Sequence, residues 1–185
     1  MSVAFDPSFW EGRRVLITGH TGFKGSWLTF WLSRMNAQTK GIALEPDTTP
    51  NMFDAVGIGA LCQHVVGDIN DEAPLRRELE AFQPEVVLHL AAQSLVRRSY
   101  DDPALTFRTN VSGTVNVLNA CRNCESVRSI VIVTTDKCYE NNNENRAFVE
   151  TDRLGGHDPY SNSKACAELV TASFRDSFFN PAEHE

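Results

Sequence analysis

Five short apolar runs punctuate the chain: Val15–Thr18, Thr39–Leu44, Gln63–Val66, Val86–Leu90 and Ser129–Thr134. They are continuous and rich in β-branched residues rather than alternating. That pattern predicts strands covered on both faces, the condition of a parallel sheet. Longer stretches of mixed polarity separate them. Asp102-Pro103 and Asp158-Pro159 each combine an N-cap residue with Pro at the first helical position. They predict long helices from Pro103 to Asn123, broken near Asn110, and from Pro159 to about Ser177. Asn70 or Asp71 can cap a further helix that carries Pro74 in its first turn. Glu140–Asn145, with four asparagines, and Leu154-Gly155-Gly156-His157 are predicted loops. Strand–helix alternation throughout predicts an α/β fold: a doubly wound parallel sheet with helices on both faces.

Bulk properties narrow the class. The 185 residues suffice for one domain, and 42% hydrophobic with 22% charged residues is an ordinary globular balance. Twenty-four acids against 17 Lys and Arg leave a net charge of −7, which argues against nucleic acid or an anionic membrane as partner. No apolar stretch approaches the ~20 residues of a membrane span. Met1–Trp10 is neither basic nor cleanly apolar, so no signal peptide is read there. Five cysteines, an odd number, fit a reduced cytoplasmic protein. Cys121-Arg-Asn-Cys124 has redox or zinc spacing, but no second pair follows and zinc needs four ligands. Two small residues near a helix end is the simpler reading. His20, His64, His89 and His157 show no metal spacing, and no metal site is expected. His89, inside an apolar run, reads as a satisfied core residue. Trp10, Trp27 and Trp31 read as packing residues, the last two on one helix face.

The chemistry begins at Thr18-Gly-His-Thr-Gly-Phe-Lys-Gly25, between the first strand and a helix. Its GxxGxxG spacing allows a tight turn, close approach of backbone to a pyrophosphate, and a helix N-terminus aimed at the negative charge. Glu45 lies 20 residues beyond Gly25, just past the second strand, where an acid can bind the adenosine ribose 2′-hydroxyl. Asp47 is an alternative. No Arg or Lys occurs between Glu45 and Arg76, which favours NAD over NADP. Asp68 can reach the adenine edge, and Ala91-Ala92-Gln93 offers small residues where backbone passes the cofactor. Tyr160 and Lys164 are four apart and share a helix face. A Tyr whose pKa is lowered by a neighbouring ammonium can take a hydroxyl proton as hydride leaves. Thr135-Asp136-Lys137 follows the fifth strand, at the sheet edge where ligands bind. Alcohol oxidation does not need this second acid and base; elimination does. Either of Asp136 and Lys137 can take either proton transfer, and Thr135 can hold a substrate oxygen beside Tyr160.

Five segments carry a family resemblance: Phe9–Gly12 with Gly19–Trp27, Ala91–Arg97, Thr109–Thr114, Thr135–Tyr139 and Asp158–Lys164, joined by the closing Phe174–Pro181. In this order they resemble the extended short-chain dehydrogenase/reductase superfamily. Within it they are similar to the sugar-nucleotide 4,6-dehydratases, in particular the branch that takes CDP-glucose. Lys137 discriminates: similar dTDP-glucose enzymes carry Glu there, some UDP-N-acetylglucosamine dehydratases keep Thr-Asp-Lys but lack the Tyr, and 4-epimerases usually lack the acid–base pair. The resemblance implies a Rossmann-type NAD-binding domain spanning 1–185. Its cofactor contacts would come from Gly19, Thr21, Gly22, Phe23, Lys24, Gly25, Glu45, Asp68, Ile69, Leu90, Ala91, Ala92, Gln93, Thr109, Thr134, Tyr160 and Lys164. Substrate contacts would come from Gln93, Ser94, Thr135 and Tyr160. The catalytic set would be Thr135, Asp136, Lys137, Tyr160 and Lys164. The implied reaction is C4 oxidation, loss of water across C5–C6 and hydride return to C6. It would give CDP-4-keto-6-deoxyglucose for dideoxysugars of surface polysaccharide. A homodimer through Asn110–Arg122 and Pro159–Phe174 is also implied. The chain reads as the N-terminal portion, without a C-terminal lobe that grips the nucleotide and sugar. Another 4,6-dehydratase, a 4-epimerase and a non-catalytic NAD-binding domain are the competing readings.

Overall fold

The computed structural model describes residues 6–143 and 145–179. Among them five strands form one parallel sheet: β1 Arg14–Thr18, β2 Gln38–Ala43, β3 Gln63–Val66, β4 Val86–His89 and β5 Ser129–Ile132. Their order is β3-β2-β1-β4-β5. Val15 of β1 pairs with Thr39 on one side and Val86 on the other. The chain thus winds outward from β1 to β3, then returns to the far side of β1. The loops after β1 and β4 leave the sheet in opposite directions, and a crevice opens between them.

Among the described residues seven α-helices cover the sheet: α1 Phe23–Arg34, α2 Met52–Val56, α3 Glu72–Phe82, α4 Val96–Asp101, α5 Pro103–Phe107, α6 Gly113–Arg122 and α7 Pro159–Phe178. Asp102 and Asp158 cap α5 and α7, accepting from the Leu105 and Ser161 amides at 2.8 and 2.9 Å. The break predicted near Asn110 is a π-helical segment, Arg108–Ser112, joining α5 to α6. Asp71 precedes α3 without a side-chain cap bond. The short α2 and α4 were not predicted, because five or six residues carry too little periodicity to read.

Alternation along β1 divides the core. Leu16, with Val87 and Ile42, packs against Leu75, Leu79 and Phe82 of α3 and Val117 of α6. Val15, Ile17, Val86 and Leu88 pack on the opposite face against Leu32 of α1. Cys121 and Cys124 are buried, and all five cysteines are free. Burial, with Cys124 alongside, pushes the Cys121 thiol up to about 12, as befits a packing residue. Among the described residues no helix is long and apolar enough to cross a membrane.

Trp27 and Trp31 correct the packing expectation: they are 52% and 55% exposed. The buried face of α1 is instead Gly25, Ser26, Thr29 and Leu32. Small residues let the helix press close to the glycine loop, so its large aromatics lie on the outer side. Trp10 does pack against the core. Asn180 and Pro181, the end of the last matching segment, lie outside the described residues.

Lys40 is buried in β2, and its ammonium donates to Glu78 of α3 at 2.7 Å. Glu78→Ala is expected to cost roughly 1–3 kcal/mol by leaving Lys40 unpaired, and Lys40→Met distinctly less. Urea titrations of both variants check the ordering.

Candidate active site

The glycine loop and the segment after β4 meet at the crevice. Gly19 adopts φ +77°, and a Cβ there would lie 2.6 Å from the Ala91 nitrogen. A Cβ on Gly25 would run into the Gly19 carbonyl oxygen and lie 2.7 Å from His20 Cα. Helix and loop are therefore in backbone contact. α1 starts at Phe23 without a side-chain cap, so its first amides are available to an anion. Gly22, Phe23 and Lys24 are exposed here. The Thr21 hydroxyl donates to the Leu44 carbonyl at 2.9 Å, tying the loop to the end of β2 just before exposed Glu45. This cradle fits a dinucleotide: backbone can approach closely where Cβ atoms are missing, and an acid stands at the end of β2. Asp47 faces Arg98 of α4 at 3.7 Å, so a cation distant in sequence does come near this region.

Other predicted cofactor residues are placed less directly. Asp68 Oδ1 accepts from the Asn70 amide at 2.9 Å, so the side chain also shapes its own turn. Ile69 is buried, its side chain packed against Gly113, which leaves only its backbone for a ligand. Leu90, Ala91, Ala92 and Thr109 are half-buried, and the Ala91 amide donates to Thr18 Oγ1 at 3.2 Å. Gln93 departs from the expectation. Its amide is buried, donating to the Leu95 carbonyl and Thr106 Oγ1 and accepting from the Leu95 amide. A carboxamide with these partners holds its own loop rather than a substrate. Ser94 beside it is exposed.

The residues expected to be catalytic gather past β5. The Lys164 ammonium donates to the Val133 carbonyl at 2.9 Å. Burial, and to a lesser extent Lys24, holds Lys164 down at about 8 against the pull of Glu168. The Thr134 hydroxyl donates to Glu168, one turn beyond Lys164. Asp136 and Lys137 begin a 3-10 turn, Asp136–Cys138, and both are exposed. Thr135 donates to Asp136 Oδ1 at 3.1 Å. Tyr160 corrects the expected acidification. Its pKa is raised, first by burial and then by the Asp136 and Asp158 carboxylates, while the Thr135 hydroxyl acts the other way. These influences bring Thr135, Asp136 and Tyr160 into one neighbourhood. Lys137 also stabilises the Asp158 carboxylate.

A buried polar chain supports this corner. Thr18 Oγ1, which accepts from Ala91, donates to His89 Nδ1 at 2.6 Å. That assignment leaves the His89 proton on Nε2, donating to Thr114 Oγ1 at 3.2 Å, and Thr114 donates to the Asn110 carbonyl. Asn110 itself donates to the Gln93 carbonyl and Ser163 Oγ, and Ser163 donates to the Tyr160 carbonyl. Burial, then Lys164, holds His89 down at about 3. An unfolded histidine titrates near ~6.5. Below that pH the unfolded chain binds a proton that folded His89 refuses, so its contribution is full above ~6.5 and is lost towards pH 3. The expected loss at pH 5 is about 2 kcal/mol. Melting curves at pH 7 and pH 5 check it, with His89→Asn reducing the difference and buried His20, held down at about 4, accounting for much of what remains.

Residues 16–182 match the model of the family described as GDP-mannose 4,6 dehydratase. The chain belongs to this family. It is 49% identical over 180 residues to the CDP-glucose 4,6-dehydratase of Salmonella typhimurium, covering 97% of this chain and 50% of that one. It is 30% identical to the dTDP-glucose 4,6-dehydratase of Xanthomonas campestris pv. campestris, covering 90% and 50%. Among solved structures it resembles the dTDP-glucose 4,6-dehydratase of Streptomyces venezuelae with NAD bound. The TM-score is 0.79 at 27% identity, covering 90% of this chain and 52% of that one. The chain thus spans about half the length of these relatives.

Within the family frame, Glu168, Asn110 and Ser163 are supporting residues that the sequence reading missed. Glu168 had a signal: it lies four residues after Lys164, as Lys164 does after Tyr160. Asn110 reads in the sequence as a helix break, as part of the matching segment Thr109–Thr114 and as the start of the implied dimer surface, but not as a support of this corner.

Proposed function

We propose that the chain is the cofactor-binding and catalytic half of a sugar-nucleotide 4,6-dehydratase acting on CDP-glucose. The observation that carries this is the acid–base turn Asp136-Lys137 beside Tyr160 at the open end of the parallel sheet. An oxidoreductase or epimerase needs Tyr160 and Lys164; only an elimination needs the second pair. The 49% identity to a CDP-glucose 4,6-dehydratase supports both reaction and nucleotide.

Gly19, Gly22 and Gly25 with the first amides of α1 would hold the pyrophosphate of NAD, and Glu45 the ribose. NAD held there would supply the hydride acceptor for C4 and the hydride donor for C6, C5 regaining a proton as C6 is reduced. Tyr160 takes the C4 hydroxyl proton, and Thr135 holds the oxygen. Lys164, fixed on the Val133 carbonyl, supplies positive charge one helical turn from Tyr160. The new C4 ketone acidifies the C5 hydrogen. Asp136 and Lys137 between them remove that proton and protonate the departing C6 hydroxyl, which leaves as water. The product is CDP-4-keto-6-deoxyglucose. Dimerisation through α6 and α7 belongs to the same reading. Leu169, 59% exposed on α7, is an apolar position available to it.

Asp136→Asn and Lys137→Met in the full-length protein containing this chain test the assignment. Each is expected to slow water loss at least about 100-fold while C4 oxidation still reduces the nicotinamide. Loss of both steps together, or of neither, would refute it.

A further inference from the structure

His20 is the second residue of the glycine loop, yet its ring points away from the crevice and is fully buried. It crosses over β2 at Gly41. A Cβ on Gly41 would lie 2.5 Å from His20 Nδ1 and closer still to its carbon atoms, so a strand residue with any side chain would block the ring. Gly41 pairs directly with His64 of β3. The ring therefore passes over the bare position of β2 and meets its neighbour, His20 Nε2 to His64 Nδ1 at 2.7 Å. Phe53 of α2 closes the site, with ring centroids 5.6 Å from His20 and 5.0 Å from His64. Four elements thus converge on one hydrogen bond.

The rest of the loop packs against Ala91 at Gly19 and is hydrogen-bonded to β2 and α1. Gly19 donates to the Ile42 carbonyl at 2.9 Å, Thr21 to the Leu44 carbonyl, and Ser26 Oγ to the His20 carbonyl at 3.0 Å. Between Gly19 and Thr21 the buried His20 side chain is a further anchor of the backbone, the one that reaches β3. That stretch leads straight into Gly22 and the uncapped first amides of α1, which the proposed reading gives to the pyrophosphate.

We propose that His64 is a positioning residue for the cofactor: through its hydrogen bond to His20 it fixes the glycine loop in the conformation that receives the pyrophosphate. The inference rests on the reading of this loop as the NAD site. It predicts a role for a β3 residue that itself has no reach to the ligand. Its effect must therefore fall on binding of any ligand with that pyrophosphate, and a side chain that restores the bond must restore binding.

The test is calorimetric titration of this chain and its variants with NAD and with ADP-ribose, alongside melts without ligand. His64→Phe keeps the packing against Phe53 but cannot bond His20. His64→Gln keeps a polar group but carries its amide past the Nδ1 position, and stands in if Phe prevents folding. His64→Asn places an amide where Nδ1 lies. Wild type should bind both ligands. Phe and Gln should weaken both about tenfold while melting within about 3 °C of wild type, and Asn should recover most of the loss. Unchanged affinity in the Phe and Gln variants, or an Asn variant as weak as Phe, would overturn the role of His64 and leave the NAD site standing. A wild-type chain that binds neither ligand would overturn the cofactor reading and this inference with it.

Discussion

Tyr160→Phe in the full-length protein is expected to lower turnover of CDP-glucose about 10³-fold, within the range of a lost general base. The substitution removes one oxygen and keeps the ring. Its backbone is held by the Asp158 cap and by Ser163, which donates to the Tyr160 carbonyl, so α7 should not move. NAD should still bind, because the pyrophosphate cradle proposed at Gly19–Gly25 does not include the Tyr160 hydroxyl. No reduced nicotinamide should accumulate, since oxidation is the first step. Burial and the Asp136 and Asp158 carboxylates hold the Tyr160 proton on. Wild-type oxidation should therefore accelerate as pH rises, and the variant's residual rate should not follow it. Stopped-flow absorbance of the nicotinamide across pH checks both. An unchanged oxidation rate would remove Tyr160 from the reaction.

Gly25→Ala should be the most damaging single methyl in the chain. The added Cβ meets backbone on the Gly19 carbonyl and 2.7 Å from His20 Cα, and neither can swing away as a side-chain tip would. Either α1 lifts from the loop or the loop deforms. The cost should reach about 3 kcal/mol, the upper part of the overpacking range. At this size that is roughly 6–12 °C in melting temperature. Because helix and loop form the cradle together, NAD should give little further stabilisation. Gly57→Ala is a useful contrast, since nothing lies within 4 Å of a Cβ there and only its positive φ is strained. A Gly25→Ala protein that melts normally and binds NAD would show the contact to be slack.

Much of this architecture is legible along the chain because its causes are local. Buried parallel strands read as continuous apolar runs, and all five were found within two residues at each end. Asp102-Pro103 and Asp158-Pro159 announce helices because capping acts over three residues. Tyr160 and Lys164 share a face through helix periodicity alone. What escaped depends on partners far apart in sequence. Gln93 turns inward because Thr106 waits for it across the α5 turn. Trp27 and Trp31 turn outward because Gly25, Ser26 and Thr29 are needed against the loop. Periodicity cannot tell which of two faces is the inner one when the outer is also apolar. His20 and His64 looked unrelated at 44 residues' separation, and only the register of β2 with β3 unites them. The raised pKa of Tyr160 comes first from burial and then in part from Asp136, whose closeness no spacing rule gives.

The most direct test of the central claim is mass analysis of the products formed from CDP-glucose in heavy water by the full-length protein containing this chain. A 4,6-dehydratase must lose one water and, having exchanged the C5 proton, must acquire one solvent deuterium at C5. The expected product is singly deuterated CDP-4-keto-6-deoxyglucose, with dTDP-glucose and UDP-glucose turned over far less. An isomer of unchanged mass, epimeric at C4, would mean that Asp136 and Lys137 perform no elimination and would contradict the account.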